Sequence, residues 1–286
     1  MITRALPAII LAAAVGMLAT GCAAGSSTSR GSSTSDKPSI SPPARSPSAA
    51  VPAVARICGP PNAPGRLITL RAADGVRLAG ITTGTGPRGV VLIPELGVEG
   101  KCGWWEFAAL LAAQGYRVVT FDHRCTGQSA CAAGSAGSDL MSDIRGAVTW
   151  LRQHGAARVA LVGASQGASE ALIAGTQPMR DVTGIAALSA DELALTLAAP
   201  PYAPTAIAAT PHLHLPTLFA VAAADPYVSV QATRSLFARA ASASKRLVVL
   251  SAGSGHGWDL VTPDLPGGRP PKFTGAVLEF LREVTA

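Results

Sequence analysis

Short apolar runs that do not alternate with polar residues constrain this chain most. They are GVVLI (89–93), YRVVTFD (116–122), RVALVG (158–163), Val182–Leu188, Leu215–Ala224 and RLVVLS (246–251). A strand with one wet face alternates apolar and polar residues; an unbroken run belongs to a strand covered on both faces. Between the runs lie amphipathic stretches: Trp104–Gln114 closed by Gly115, and Ser138–His154 with Asp139 near its start and Gly155 at its end. Gln166–Thr176, Val230–Ala243 and Phe273–Val284 continue the pattern. Strands alternating with helices of this length predict an α/β fold, a mainly parallel sheet with helices on both faces. RLITL (66–70) and VRLAGIT (76–82), around Asp74-Gly75, read as an antiparallel hairpin that opens the sheet. There is no internal repeat, and Asp191–His214, rich in Pro and Ala, is too short for a large lid domain.

The first residues read differently. Arg4 supplies a positive start, and Ala5–Thr20 is apolar apart from Pro7 and Gly16, too short to span a bilayer comfortably. Residues 1–21 are therefore expected to be a signal peptide. The stretch closes on Leu18-Ala19-Thr20-Gly21-Cys22, which resembles the lipobox of bacterial lipoproteins, with the usual leucine one position further from the cysteine. That resemblance implies a lipidated Cys22, export, and attachment to the outer face of the cell membrane. The alternative is ordinary secretion with cleavage near Ala23 or Ala24. Ala23–Pro52 is dominated by Ser, Thr, Gly, Pro and Ala and has too few large apolar side chains to offset its ordering entropy. Residues 22–56 are read as lipidated cysteine and tether, and 57–286 as one folded domain.

Four further cysteines, Cys58, Cys102, Cys125 and Cys131, make an even set in a chain marked for export. Two disulfides are expected, with three connectivities open. The favoured pairing is Cys125–Cys131, closing a small loop, with Cys58–Cys102 pinning the N-terminal extension; the alternative Cys102–Cys125 would join two loops at one sheet edge. No C-x-x-C spacing or histidine cluster argues for zinc, so no metal is expected. The net charge of +6 is scattered, with no basic run or stripe, and a nucleic-acid partner is not expected.

The chemistry centres on Gly163-Ala164-Ser165-Gln166-Gly167, a G-x-S-x-G sequence. With 30 glycines in 286 residues, roughly a quarter of such a match arises by chance, so the motif alone carries little. Its context carries more, because it follows a buried strand and opens a helix, as a nucleophile elbow must. A hydroxyl is a poor nucleophile at neutral pH and needs a base. His256, in GSGHG (253–257) after the last strand, is the histidine that would reach the serine's sheet edge, unlike His123, His154, His212 and His214. A carboxylate must then hold the imidazole tautomer. Asp225, after the strand ending at Ala224, is the candidate acid, and Asp191 is its rival.

Taken together, VVLIPELG (90–97), TFDHRCTGQS (120–129), GASQG (163–167), ADPYV (224–228) and GSGHG (253–257) resemble the α/β-hydrolase fold serine hydrolases, the esterases and lipases. The resemblance runs from about Gly65 to Thr285. It implies an α/β-hydrolase fold without a large lid, a Ser165–His256–Asp225 triad and an oxyanion hole from the Leu96 and Gln166 N–H groups. TFDHRCTGQS resembles the family's D-x-R-G-x-G-x-S, with Cys125 in place of a glycine. Pro94 and Glu95 replace the His and Gly of H-G-x-G; a carboxylate aimed at the hole would oppose an oxyanion, although the hole itself uses backbone donors. The implied activity is hydrolysis of a small-molecule ester or related acyl compound, with no cofactor. A peptidase, a thioesterase and a non-catalytic binding lipoprotein are the alternatives, Glu95 favouring the last. Trp104, Trp105, Tyr202 and the Asp191–His214 segment are candidates for the mouth of the site, or for packing.

Overall fold

In a computed structural model of the chain, residues 52–131, 139–192, 205–262 and 268–286 are described. Helix α1 (Ala53–Cys58) is followed by strands β1 (Arg66–Arg71), β2 (Arg77–Thr83) and β3 (Arg88–Ile93). Next come α2 (Trp105–Ala113), β4 (Tyr116–Phe121), α3 (Leu140–Gln153), β5 (Arg158–Ala164), α4 (Gln166–Ala174) and β6 (Val182–Leu188). The short α5 (Ala206–Ala209), β7 (Thr217–Ala222), α6 (Val230–Arg239), β8 (Lys245–Leu250) and α7 (Lys272–Val284) complete the series. The apolar runs and amphipathic stretches of the sequence become these strands and helices, with ends shifted by a few residues. Helix α1 lies partly in the stretch read as tether.

The strands form one eight-stranded sheet in the order β1-β2-β4-β3-β5-β6-β7-β8. β2 is antiparallel to both β1 and β4, and all other neighbouring pairs run parallel. Parallel strands joined by crossover helices are buried on both sides, and β3 shows it. Val91 and Ile93 enter one core with Val119, Ile144, Leu151, Leu161 and Leu172. Val90 and Leu92 enter the opposite core with Phe107, Leu111, Val162, Phe280 and Leu281. Helices α3, α4 and α6 therefore cover one face, and α2 and α7 the other.

The termini and caps follow the local sequence. Asp139 caps α3 by accepting the Ser142 N–H at 3.1 Å, and Ser229 caps α6 by accepting the Ala232 N–H at 3.0 Å. Such caps satisfy backbone donors that the first helical turn leaves free. Disulfides join Cys58 to Cys102 and Cys125 to Cys131, the first two of the three pairings considered. The former ties α1 to the segment entering α2.

The loop after β4 is held by buried charge. Asp122 accepts the Lys101 ammonium at 2.6 Å, the Lys101 N–H at 2.9 Å and the Gln128 N–H at 3.0 Å. Arg124 bridges Asp143 on α3 (2.7 and 2.9 Å) and Asp74 in the β1–β2 turn (2.8 Å). Buried ions are tolerated only when paired in this way. Cys125 stands at φ +63°, a left-handed conformation that favours glycine, which is the residue the related motif carries there. Its own N–H donates to the Ala130 carbonyl at 3.1 Å and its sulfur is bonded to Cys131, so the loop holds it in place.

Candidate active site

Three loops at the carboxyl edge of the parallel strands bring Ser165, Asp225 and His256 to one end of the sheet. Ser165 is the single residue between β5 and α4, at φ +51° and ψ −117°. A non-glycine residue there is strained, and the strain persists only where surrounding contacts enforce it. Two glycines enable it. A Cβ at Gly163 would lie 2.1 Å from the Gly167 carbonyl oxygen, and one at Gly167 would lie 2.4 Å from both the Ile93 and Pro94 oxygens. The Ser165 N–H donates to the Leu188 carbonyl at 2.9 Å, fastening the turn to β6.

His256 follows β8 and is mostly buried. Its Nδ1 lies 2.8 and 2.9 Å from the two Asp225 carboxylate oxygens. Its own N–H donates to Asp259 Oδ2 at 3.2 Å, and the exposed Tyr227 ring meets the imidazole edge-on at 4.8 Å between centroids. Asp225 is thus the carboxylate that holds the histidine, while the rival Asp191 is bonded through its backbone to Ser169. Asp225 also accepts the Ser189 hydroxyl at 2.7 Å and the Tyr227 and Val228 N–H groups at 2.9 and 3.0 Å. Burial works to raise its pKa; the bonds from Ser189, Tyr227, His256 and Val228 outweigh it and hold the carboxyl below its ordinary value.

Sequence reasoning missed two residues. Ser189, at φ +56°, donates to Asp225 and accepts the Gly257 N–H at 3.0 Å, so one hydroxyl links the acid loop to the histidine loop. Its position directly after a buried strand, at the edge that carries the site, was the available signal. Asp259 closes a reciprocal capping arrangement with His256; its spacing three residues after His256 matches a capping box.

The two expected oxyanion donors belong to different segments of the chain. Gln166 begins α4, where N–H groups of the first turn point out of the helix. Leu96 lies in the loop after β3 with its side chain half exposed. The Pro94 carbonyl, two residues earlier, lies 3.2 Å from His123 Nε2, which lies 3.6 Å from Glu170 Oε2 on α4. Glu170 Oε1 accepts the Gln166 side-chain amide at 2.7 Å. A buried polar chain therefore joins the two loops. Glu95 turns away from solvent toward the histidine loop: a Cβ at Gly257 would fall 2.0 Å from its Oε2. The same Cβ would be 3.2 Å from Ala164 Cβ, which sets the histidine loop against the serine turn.

Trp104 and Trp105 do not line a mouth. Both are buried in the core, Trp105 donating its indole N–H to the Pro61 carbonyl at 3.0 Å. Trp104 packs edge-on against Trp258 behind the histidine loop. Tyr202 and half of the Asp191–His214 segment lie outside the described residues, as does Cys22.

The sheet order, the strained turn after β5 and the loops after β7 and β8 define the α/β-hydrolase fold. The family described as serine aminopeptidase, S33, matches residues 86–204, from β3 past β6. An esterase from Pyrococcus furiosus is similar in structure, with TM-score 0.61 and 18% identity over 78% of this chain and 93% of that one. An α/β hydrolase from a Penicillium species gives TM-score 0.62 and 14% identity over 78% and 99% of the two chains. A serine hydrolase involved in carbazole degradation gives 0.59 and 17% over 76% and 100%. No curated protein matches the sequence.

Proposed function

We propose that the chain is a serine hydrolase that cleaves an ester or related acyl substrate through an acyl-enzyme. Ser165 Oγ attacks the carbonyl carbon, and His256 Nε2 takes its proton and returns it to the leaving group. Asp225 fixes the tautomer in which Nδ1 carries the hydrogen, and the Leu96 and Gln166 N–H groups receive the oxyanion. Water, deprotonated by His256, then releases the acyl group. The observation that carries this reading is the bonding of His256 Nδ1 to Asp225 at the sheet edge where Ser165 is held at φ +51°. Labelling by a fluorophosphonate probe tests it. Wild type should be labelled and Ser165→Ala should not, with the same circular dichroism and melting temperature. Labelling that survives the substitution would remove Ser165 from the mechanism.

A peptidase is the second reading, favoured by the description of the family that matches residues 86–204. Parallel panels of p-nitrophenyl esters and aminoacyl anilides separate the two. The site of action we propose is the outer face of the cell membrane, with Cys22 lipidated and the Ser/Pro/Ala-rich stretch as tether. What supports it is the small-residue approach to Cys22 after a short apolar segment. Among the described residues no helix is long and apolar enough to cross a membrane.

A further inference from the structure

Glu95 occupies an unusual position for a carboxyl group. It stands between Pro94, whose carbonyl faces His123, and Leu96, whose N–H is assigned to the oxyanion. Its Oε2 is buried and has no hydrogen-bond partner. Only a glycine at 257 leaves room for it, and the Trp258 N–H is near enough to the same carboxyl to favour its charged form. The side chain thus spans from the loop after β3 to the loop after β8, the one that bears His256.

The groups facing it are mostly acidic. Glu99 comes from its own loop, Asp259 from the loop after β8 and Asp225 from the loop after β7, and His256 stands between the last two as the basic neighbour. An ionised Glu95 would be a third carboxylate beside the pair that already holds the histidine, with a single N–H to stabilise it. A neutral carboxylic acid has no such difficulty, because burial penalises the charged form.

Resting on the serine hydrolase reading, we propose that Glu95 is a positioning residue. Its neutral carboxyl latches the Leu96 loop onto the His256 loop, and its ionisation releases the latch and sets an alkaline limit to turnover. The carboxyl titrates in the right range. Burial first, then the charges of Asp259, Glu99 and Asp225, push its pKa up to about 8, against a smaller opposing effect of the Trp258 N–H. Ionisation acts in two ways. It adds negative charge where an oxyanion must form, and it drives the carboxyl toward water, carrying the adjoining Leu96 N–H with it. The carboxyl that the sequence sets against catalysis is, in its neutral form, a support for it.

The test uses the full chain and the rate of fluorophosphonate labelling between pH 6 and 9.5. Wild type should lose rate above pH 8, by about tenfold per pH unit for a single controlling group. Glu95→Gln, which keeps the shape and cannot ionise, should abolish that fall. Glu95→Ala, which removes the latch, should slow labelling at pH 7 by about 10²-fold, as loss of one oxyanion donor does, and Gln should rescue it. A fall that persists unchanged in Glu95→Gln, or a Glu95→Ala variant as fast as wild type at pH 7, overturns the proposal.

Melting temperature supplies a readout that does not need activity. The folded pKa lies above the ordinary 4.5, so the folded state binds more protons between those values, and stability falls as pH rises from about 4.5 to about 8. Glu95→Gln should therefore gain in melting temperature over wild type from pH 5 to pH 9. No gain refutes the buried neutral carboxyl. If wild type is never labelled, the hydrolase reading falls, and this comparison decides the state of Glu95 by itself.

Discussion

At the scale of single residues, the fold supports the preference of the sequence for Asp225 over Asp191, because it sets the Asp225 carboxylate against His256 Nδ1. Asp225 and Asp191 both follow a strand at the right edge, and the ADPYV loop marks the former. What separates them in the fold is β7 and β8 lying side by side, which puts the carboxyl ends of both strands, and so Asp225 and His256, next to each other. Asp225→Asn should lower kcat by up to ~10⁴, because the amide stabilises the wrong imidazole tautomer. Asp191→Asn should cost less, since it is the Asp225 carboxylate that meets His256 Nδ1. Steady-state kinetics on a p-nitrophenyl ester check both, and the reverse ranking would refute Asp225 as the acid. Ser189 belongs at this scale too. A serine after a strand is unremarkable in sequence, and its role appears only where Asp225 and Gly257 converge on its hydroxyl.

Among elements, the long, strongly patterned ones were legible and the short ones were not. β3, β5 and β6 are unbroken apolar runs, and burial on both faces leaves them no other reading. α1 has six residues and α5 four, less than two turns each, so no apolar period can establish itself. α1 owes its place to packing and to Cys58, not to propensity. The junction of β5 and α4 shows how elements shape a site. Gly167 lets α4 approach the end of β3, bringing the Gln166 and Leu96 loops together. Gly167→Ala puts a methyl against backbone oxygens that cannot step aside. It should destabilise the fold by about 1–3 kcal/mol and slow fluorophosphonate labelling by separating the two oxyanion donors. Equal denaturant midpoints and equal labelling rates would show that the contact carries neither stability nor geometry.

For the whole molecule, the described domain carries the site and the first fifty or so residues carry the address we propose. Wild type should fractionate with membranes and enter the detergent phase on extraction. Cys22→Ser should block lipidation, leaving unprocessed precursor or released protein. Acyl chains stabilise membrane attachment by about 0.8 kcal/mol per buried methylene, and two chains anchor firmly where one binds reversibly. Wild type found wholly in the medium, with an N-terminus beyond Cys22, would remove the anchor and leave the hydrolase reading intact.

Local pattern by itself determined the class of fold, the hairpin that opens the sheet, the serine turn and the histidine after the last strand. Each rests on interactions within a few residues: alternation or its absence, a glycine pair around Ser165, a loop closing a strand. Tertiary structure decided the rest. It inserted β4 between β2 and β3, set Asp225 against His256, paired the four cysteines, buried Trp104 and Trp105, and folded Glu95 inward against Gly257. Those outcomes depend on contacts between residues far apart in the chain, and their energies exist only once the sheet has assembled.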